Sequence, residues 1–181
     1  MKNYWTIQHI NAWEQANRKC VLTGNSSWAI KGFEQAYQWM IDQMVKRLGC
    51  GKCYPLWLWT EKPDLRTCLR TQWGGEPGST YILLQVSLDE STVLISEYHA
   101  WHCVLNNYPL ELYEDEEVNK EESWERIFDI DLLQGSPYTT FTDGLHHTTL
   151  QGVTAAISID NIKVLKTFII RDYKIYSRFV K

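Results

Sequence analysis

The 181-residue sequence predicts a single compact α+β domain, with a mixed or antiparallel sheet flanked by helices. Three observations carry that expectation. The length suits one domain, able to bury about 70% of its unfolded surface around one core. Apolar residues at helical spacing come early, and β-branched, strand-like runs follow. The order of these segments lacks the regular βαβ alternation of a parallel nucleotide-binding sheet.

YWTIQ (4–8) is the expected first strand, and Asn11 is placed to cap a helix through AWEQANRKC that stops at Thr23-Gly24-Asn25. From Phe33, the apolar residues Tyr37, Met40, Ile41, Met44, Val45 and Leu48 recur at spacings of three and four, and Gly49 supplies the stop. YPLWLWT (54–60) is apolar on both faces, which suits a strand covered on both sides. Pro55 falls at its start, where no ladder donor is needed. TQWGGEPGST (71–80) is a loop, then TYILLQVSL and TVLIS are strands by β-branched content, turning at Asp89-Glu90. Ser96 is the expected cap of a helix through EYHAWHCVLNN, which closes before Pro109. The acidic stretch 111–122 is a loop or short helix within the domain, and SWERIF (123–128) a helix with a serine cap. After a loop at GSPYTTFTDG, the segments TTLQGVTAAISI and IKVLKTFII supply late strands, with YKIYSRFV as a further strand or a tail.

The formal net charge of -4 and pI near 5.7 oppose nonspecific wrapping of a duplex, which rests on many Lys and Arg phosphate contacts. No run of about 18 apolar residues is present, and MKNYWTIQHINAWEQ has no uninterrupted apolar stretch, so a cytoplasmic protein with no membrane partner is expected. The five cysteines are odd in number and are expected to stay reduced. Nine tryptophans exceed what a core of this size needs. Some are therefore expected at a groove or partner surface, where an apolar ring with an N–H handle is useful.

Cys50-Gly51-Lys52-Cys53 has the spacing of half a zinc site, with Cys68, His99, His102 and Cys103 as remote completions. The second knuckle is missing, so the pair is expected to be two surface thiols with no metal. His146-His147 lies in a Thr- and Asp-bearing loop, where paired histidines are more often solvated than catalytic. The nucleophile elbow, P-loop, dinucleotide fingerprint and H-E-x-x-H motifs are all absent. No catalytic residue is assigned on this basis, and the balance leans away from an enzyme.

Between Glu111 and Glu125 the acids Glu111, Glu114, Asp115, Glu116, Glu117, Glu121, Glu122 and Glu125 stand against the single base Lys120. Such a strip is either a solvated face or a mimic of phosphate spacing that docks in a basic groove. In YPLWLWTEKPDLR (54–66), Trp57 and Trp59 share one strand face while Leu56 and Leu58 share the other. Lys62, Asp64 and Arg66 continue at the same spacing with alternating charge. The stretch is either a doubly covered strand with a salt-bridged turn, or one wall of a site.

The motifs W-T-I-Q (5–8), Y-P-L-W-L-W (54–59), K-P-D-L-R (62–66), W-H-C-V-L-N (101–106), S-W-E-R-I-F-D (123–129) and L-Q (150–151) jointly resemble an uncharacterised domain-of-unknown-function family of bacteria and their phages. More remotely, the order of elements is similar to ADP-ribosyltransferase-like folds. That likeness implies NAD as ligand, a His or Arg on the first strand and a Glu on a late strand; the matching positions are Thr6 and Gln151. An amide at 151 can hydrogen-bond a ribose hydroxyl but supplies neither a base nor a charge for an oxocarbenium ion. Glu125 is the candidate substitute carboxylate.

Two functions follow. The first is a non-enzymatic interaction protein, encoded by a phage or mobile element and needing no cofactor, that inhibits a host defence nuclease such as Cas9. In this anti-CRISPR role the strip Glu111–Glu122 steers association and tryptophans anchor it. The alternative is an NAD-dependent ADP-ribosyltransferase-like enzyme or nucleotide-binding remnant, its pocket lined by Gln8, Trp57, Trp59, Lys62, Asp64, Arg66, Trp101, Glu125 and Gln151. Convergence of these side chains on one cavity favours a ligand; dispersal favours a surface.

Overall fold

Alternation along KNYWTIQH places Tyr4 and Thr6 in the interior on one face of the first strand and Ile7 on the other, so both faces of this strand are covered. The computed structural model describes residues 1–29, 31–65, 77–113, 116–134 and 149–170. In chain order its strands are β1 (Lys2–His9), β2 (Val21–Thr23), β3 (Leu56–Trp59), β4 (Thr80–Leu88), β5 (Leu94–Glu97), β6 (Leu150–Thr154), β7 (Ala156–Ser158) and β8 (Ile162–Ile169). The α-helices are α1 (Ile10–Lys19), α2 (Glu34–Leu48), α3 (Tyr98–Leu105), α4 (Lys120–Trp124) and α5 (Ile130–Gln134). Six strands form a sheet in the order β5-β6-β3-β1-β4-β8, and each neighbouring pair is antiparallel. This is the expected α+β class.

The run TTLQGVTAAISI is not one strand. It divides into β6, in the main sheet, and β7, which pairs with β2 in a separate two-stranded ribbon. That ribbon and α1 cover one face of the sheet, where Leu22, Ile157 and Ala16 pack on Tyr4, Leu56, Leu58 and Leu84. On the opposite face α2 and α3 bring Met40, Met44, Trp101 and Val104 onto Leu94 and Val153. A third cluster, Ile7, Tyr81, Leu83 and Ile170, lies nearer β8. Trp57 joins the helix-side cluster while Leu56 and Leu58 join the ribbon side, the division that the two-residue period of LWLW sets.

Three caps differ from the sequence expectation. The imidazole Nδ1 of His9, not Asn11, caps α1 by accepting the Asn11 N–H at 3.1 Å. The Glu97 carboxylate, not Ser96, caps α3 by accepting the Ala100 N–H. Asn119 accepts from Glu121 and Glu122 to start α4, so Ser123 falls inside the helix and Glu125–Phe128 continue as a 3₁₀ turn. In each case the chain extends one strand residue further, or starts the helix earlier, and another polar side chain meets the free N–H groups. Gly49 ends α2 as expected, at φ 64°, with its N–H on the Val45 carbonyl.

The acidic segment is partly engaged by the fold. Glu116 accepts Arg126 on both carboxylate oxygens, at 2.7 and 3.0 Å, and also takes the Leu112 N–H at 2.8 Å. The Arg126 hydrogen bonds hold its carboxyl down at about 2. The ordinary carboxylate value is about 4.3, so the pair's contribution is full above that pH and is lost only as the pH falls through the folded value. The melting-temperature gap between the parent and Glu116→Gln should therefore persist from neutral pH to about pH 4 and close towards about pH 2. A gap independent of pH would mean that the charge of Glu116 does not contribute to stability.

Candidate functional site

β1 and β4 pair along the whole strand, from Lys2↔Leu88 to His9↔Tyr81, whereas β1 and β3 pair at Trp5↔Trp59. Beyond that point the two central strands part. The Thr60 N–H bonds the Leu150 carbonyl, which fixes the alternation along β3: Leu56 and Leu58 turn their backbone groups to β6, and Trp57 and Trp59 turn theirs to β1. The same alternation aims the backbone N–H and C=O of Ile7 at β3. Ile7 and Trp57, the next rung of a continued ladder, thus face one another across the split without a register between them. A cleft of about 560 Å³ opens there, lined by both residues.

Its walls are aromatic. Trp57 lies 5.0 Å from Trp101, and Trp59 lies 5.3 Å from Tyr98, between ring centroids. Tyr37 sets its ring edge-on to Trp101 and stacks on Tyr54 at 6.1 Å. The alternation that buries Leu56 and Leu58 holds both indoles half-buried on the opposite side, so the tryptophan strand is at once core and wall.

The polar groups come from three elements. On β1, Gln8 donates to the Thr6 hydroxyl at 2.7 Å. On β6, Gln151 is only 5% exposed; it stands in register with Trp59 and Ser96 and donates to the Ser96 hydroxyl at 3.5 Å. Two histidines lie on the lining, His9 at the end of β1 and His102 on α3. The His9 Nδ1 accepts from Asn11, so in the neutral ring Nε2 carries the proton. His102 has Nδ1 at 2.9 Å from the Tyr98 carbonyl, which can only accept; its Nε2 is therefore the acceptor. In their neutral rings the two histidines thus carry opposite tautomers. Lys19 adds a cation at the α1 end. Among the described residues the lining holds no Asp or Glu.

Of the sequence candidates, Gln8, Trp57, Trp59, Trp101 and Gln151 converge on this cleft. Glu125 does not. It accepts from Lys46 at 2.7 Å, Arg47 at 2.9 Å and Gln43 at 3.4 Å beside α2, and those partners, Lys46 above all, hold its pKa down. It therefore cannot serve as the cleft's substitute carboxylate. Lys62 and Asp64 are exposed and off the lining, and Arg66 lies outside the described residues. Glu111, Glu117, Glu121 and Glu122 are exposed, while Glu114, Asp115, Cys68 and His146-His147 lie outside the described residues. Cys50 and Cys53 are half-buried rather than surface thiols, and no group of three His, Cys, Asp or Glu side chains among the described residues is placed to hold a metal.

Sequence reasoning missed His9, which stands one residue beyond the W-T-I-Q motif, and Tyr54, Tyr98 and His102. The first-strand position that the sequence singles out is Thr6; the histidine of that strand is His9, where strand turns into helix. Glu97, the carboxylate nearest to Gln151 along the sheet, is fully buried under α3; burial pushes its pKa up, and its Oε1 has no partner among the described residues. It is a helix cap rather than a lining group.

Fold and site together define an antiparallel α+β domain with a ligand-sized cleft in a split sheet. The chain belongs to the DUF3841 family, a domain of unknown function, whose family model matches residues 3–118. The match takes in β1, β3 and α3 of the cleft and leaves β6 with Gln151 outside it. No curated protein and no solved structure matches the chain. Among the described residues, no helix is long and apolar enough to cross a membrane.

Proposed function

We propose that the cleft binds a nucleotide-class ligand with a planar, carboxamide-bearing ring, of which NAD is the example to test. One observation carries the reading: the facing N–H and C=O groups of Ile7 and Trp57, without a register between them, lie on the same cleft lining as the half-buried indoles of Trp57 and Trp59. A carboxamide has the paired donor and acceptor such backbone edges require, and an indole face takes a flat ring. Lys19 suits the ligand's phosphates. The remote likeness to ADP-ribosyltransferase-like folds agrees with this ligand. With no carboxylate on the described lining, the reading stops at binding, and no residue is assigned to group transfer.

Calorimetry with NAD, nicotinamide and AMP tests it, with tryptophan fluorescence as the second signal. NAD should bind and quench. Trp57→Leu should weaken binding about tenfold, the scale of one lost aromatic pair, while circular dichroism shows the fold intact. Absence of heat with all three ligands removes the proposal, and mass spectrometry of a lysate for ADP-ribose adducts distinguishes an enzyme from a binding remnant. The anti-CRISPR expectation rests on the acidic strip. Glu116 of that strip is bound to Arg126, and Glu111, Glu117, Glu121 and Glu122 are exposed.

A further inference from the structure

We propose that Cys50 and Cys53 are a reversible disulfide site whose closure repositions the Tyr54-Pro55 wall of the cleft. The site is local to the end of α2. Gly49 turns the chain out of the helix in the left-handed conformation, and the Lys52 ammonium, 3.8 Å from Asp42, holds the turn back against the same helix. Three residues apart in sequence, the two cysteines are both half-buried and packed on the cluster formed by α2 and α3, and Cys53 lies close enough to Cys50 to feel its charge. Two cysteines packed on one cluster, with no group of three metal-ligating side chains among the described residues, fit two-electron chemistry of a dithiol better than a metal site. Burial and the neighbouring Cys50 push the Cys53 thiol up, so it rests protonated and its oxidation is slow without a driving oxidant.

The oxidant is a peroxide. One thiolate attacks a peroxide oxygen, giving a sulfenic acid and one water. The second thiol attacks the sulfenic sulfur, the S–S bond forms, and a second water leaves. Two thiols and one hydrogen peroxide thus become one disulfide and two waters, with two electrons passing to the peroxide. The sulfurs must close to about 2.05 Å, which draws on the backbone of the turn. Cys53 is followed directly by Tyr54 and Pro55, both on the cleft lining. Tyr54 stacks on Tyr37, and its carbonyl abuts Gly24, so a pull at Cys53 is transmitted to a closely fitted wall.

The experiment uses the full chain and needs no knowledge of the ligand. Folded protein is treated with hydrogen peroxide, alkylated and digested. The peptide spanning 50–53 should lose two hydrogens and resist alkylation, with both changes reversed by a dithiol reductant. Hydrogen exchange across residues 54–59 should differ between the oxidised and reduced forms, and this difference should vanish in Cys50→Ser, Cys53→Ser and the corresponding alanine variants and persist in Cys103→Ser. Full alkylation of both cysteines after peroxide overturns the proposal. So does a disulfide linking Cys53 to Cys103, or one between Cys50 and Cys53 that leaves exchange across 54–59 unchanged.

Discussion

Trp124→Ala is expected to lower unfolding stability by about 3–5 kcal/mol, the range for a large aromatic removed from a core. Trp124 is 1% exposed, its Nε1–H donates to the Tyr108 carbonyl at 2.7 Å, and Trp39 meets it edge-on at 5.7 Å. Truncation opens a cavity between α2 and the segment 108–128, and strands the Tyr108 carbonyl and the exposed edge of Trp39 without their partner. Trp124→Phe retains much of the volume and loses the hydrogen bond, so it should cost less than alanine but more than the bond alone, which is about 1 kcal/mol. Urea denaturation of the three proteins checks the order. A loss below about 1 kcal/mol for the alanine variant would show that α4 is not part of the cooperative core.

Gly24→Ala is the second large effect. A Cβ there would stand 2.3 Å from the Tyr54 carbonyl oxygen and 2.6 Å from that of Pro55, both backbone atoms that cannot rotate away. The chain must part by roughly an ångström, at a cost of about 1–3 kcal/mol, as in other overpacked sites. The displaced segment is the cleft wall, so NAD binding should fall by more than that of any surface variant. Gly51→Ala, which meets nothing within 4 Å, is the matched control. Unchanged stability and affinity for Gly24→Ala would mean that the β2 turn and the wall are not in contact.

Periodicity made most of the fold legible. The three- and four-residue spacing from Phe33 to Leu48 and the alternation in LWLW each placed a residue set on its correct side. What periodicity does not encode is where strands part. Trp5↔Trp59 is a rung and Ile7 with Trp57 is not, although all four side chains are large and apolar. The cap assignments failed for a related reason: His9, Glu97 and Asn119 compete with nearby Asn11, Ser96 and Ser123, and backbone direction decides which side chain reaches the free N–H groups. Half of the site was visible as tryptophans too numerous for the core. His9 and His102 were not, because a lone histidine acquires its meaning from the helix end or carbonyl it meets.

The single rung at Trp5↔Trp59 also has a mechanical meaning. By strand pairing the sheet is two three-stranded leaves, β5-β6-β3 and β1-β4-β8, the second with a register shift between Leu83 and Leu84, and they are joined in register at one rung. Three strands with a packed face are enough for a leaf to hold its shape, and the cluster of Tyr4, Leu56, Leu58 and Leu84 packs across both leaves. A guest that hydrogen-bonds Ile7 on one leaf and Trp57 on the other replaces the missing rung. It then acts as a suture across the domain, adding a second crossing to the single rung, and part of its binding energy would be read as stiffness of the sheet.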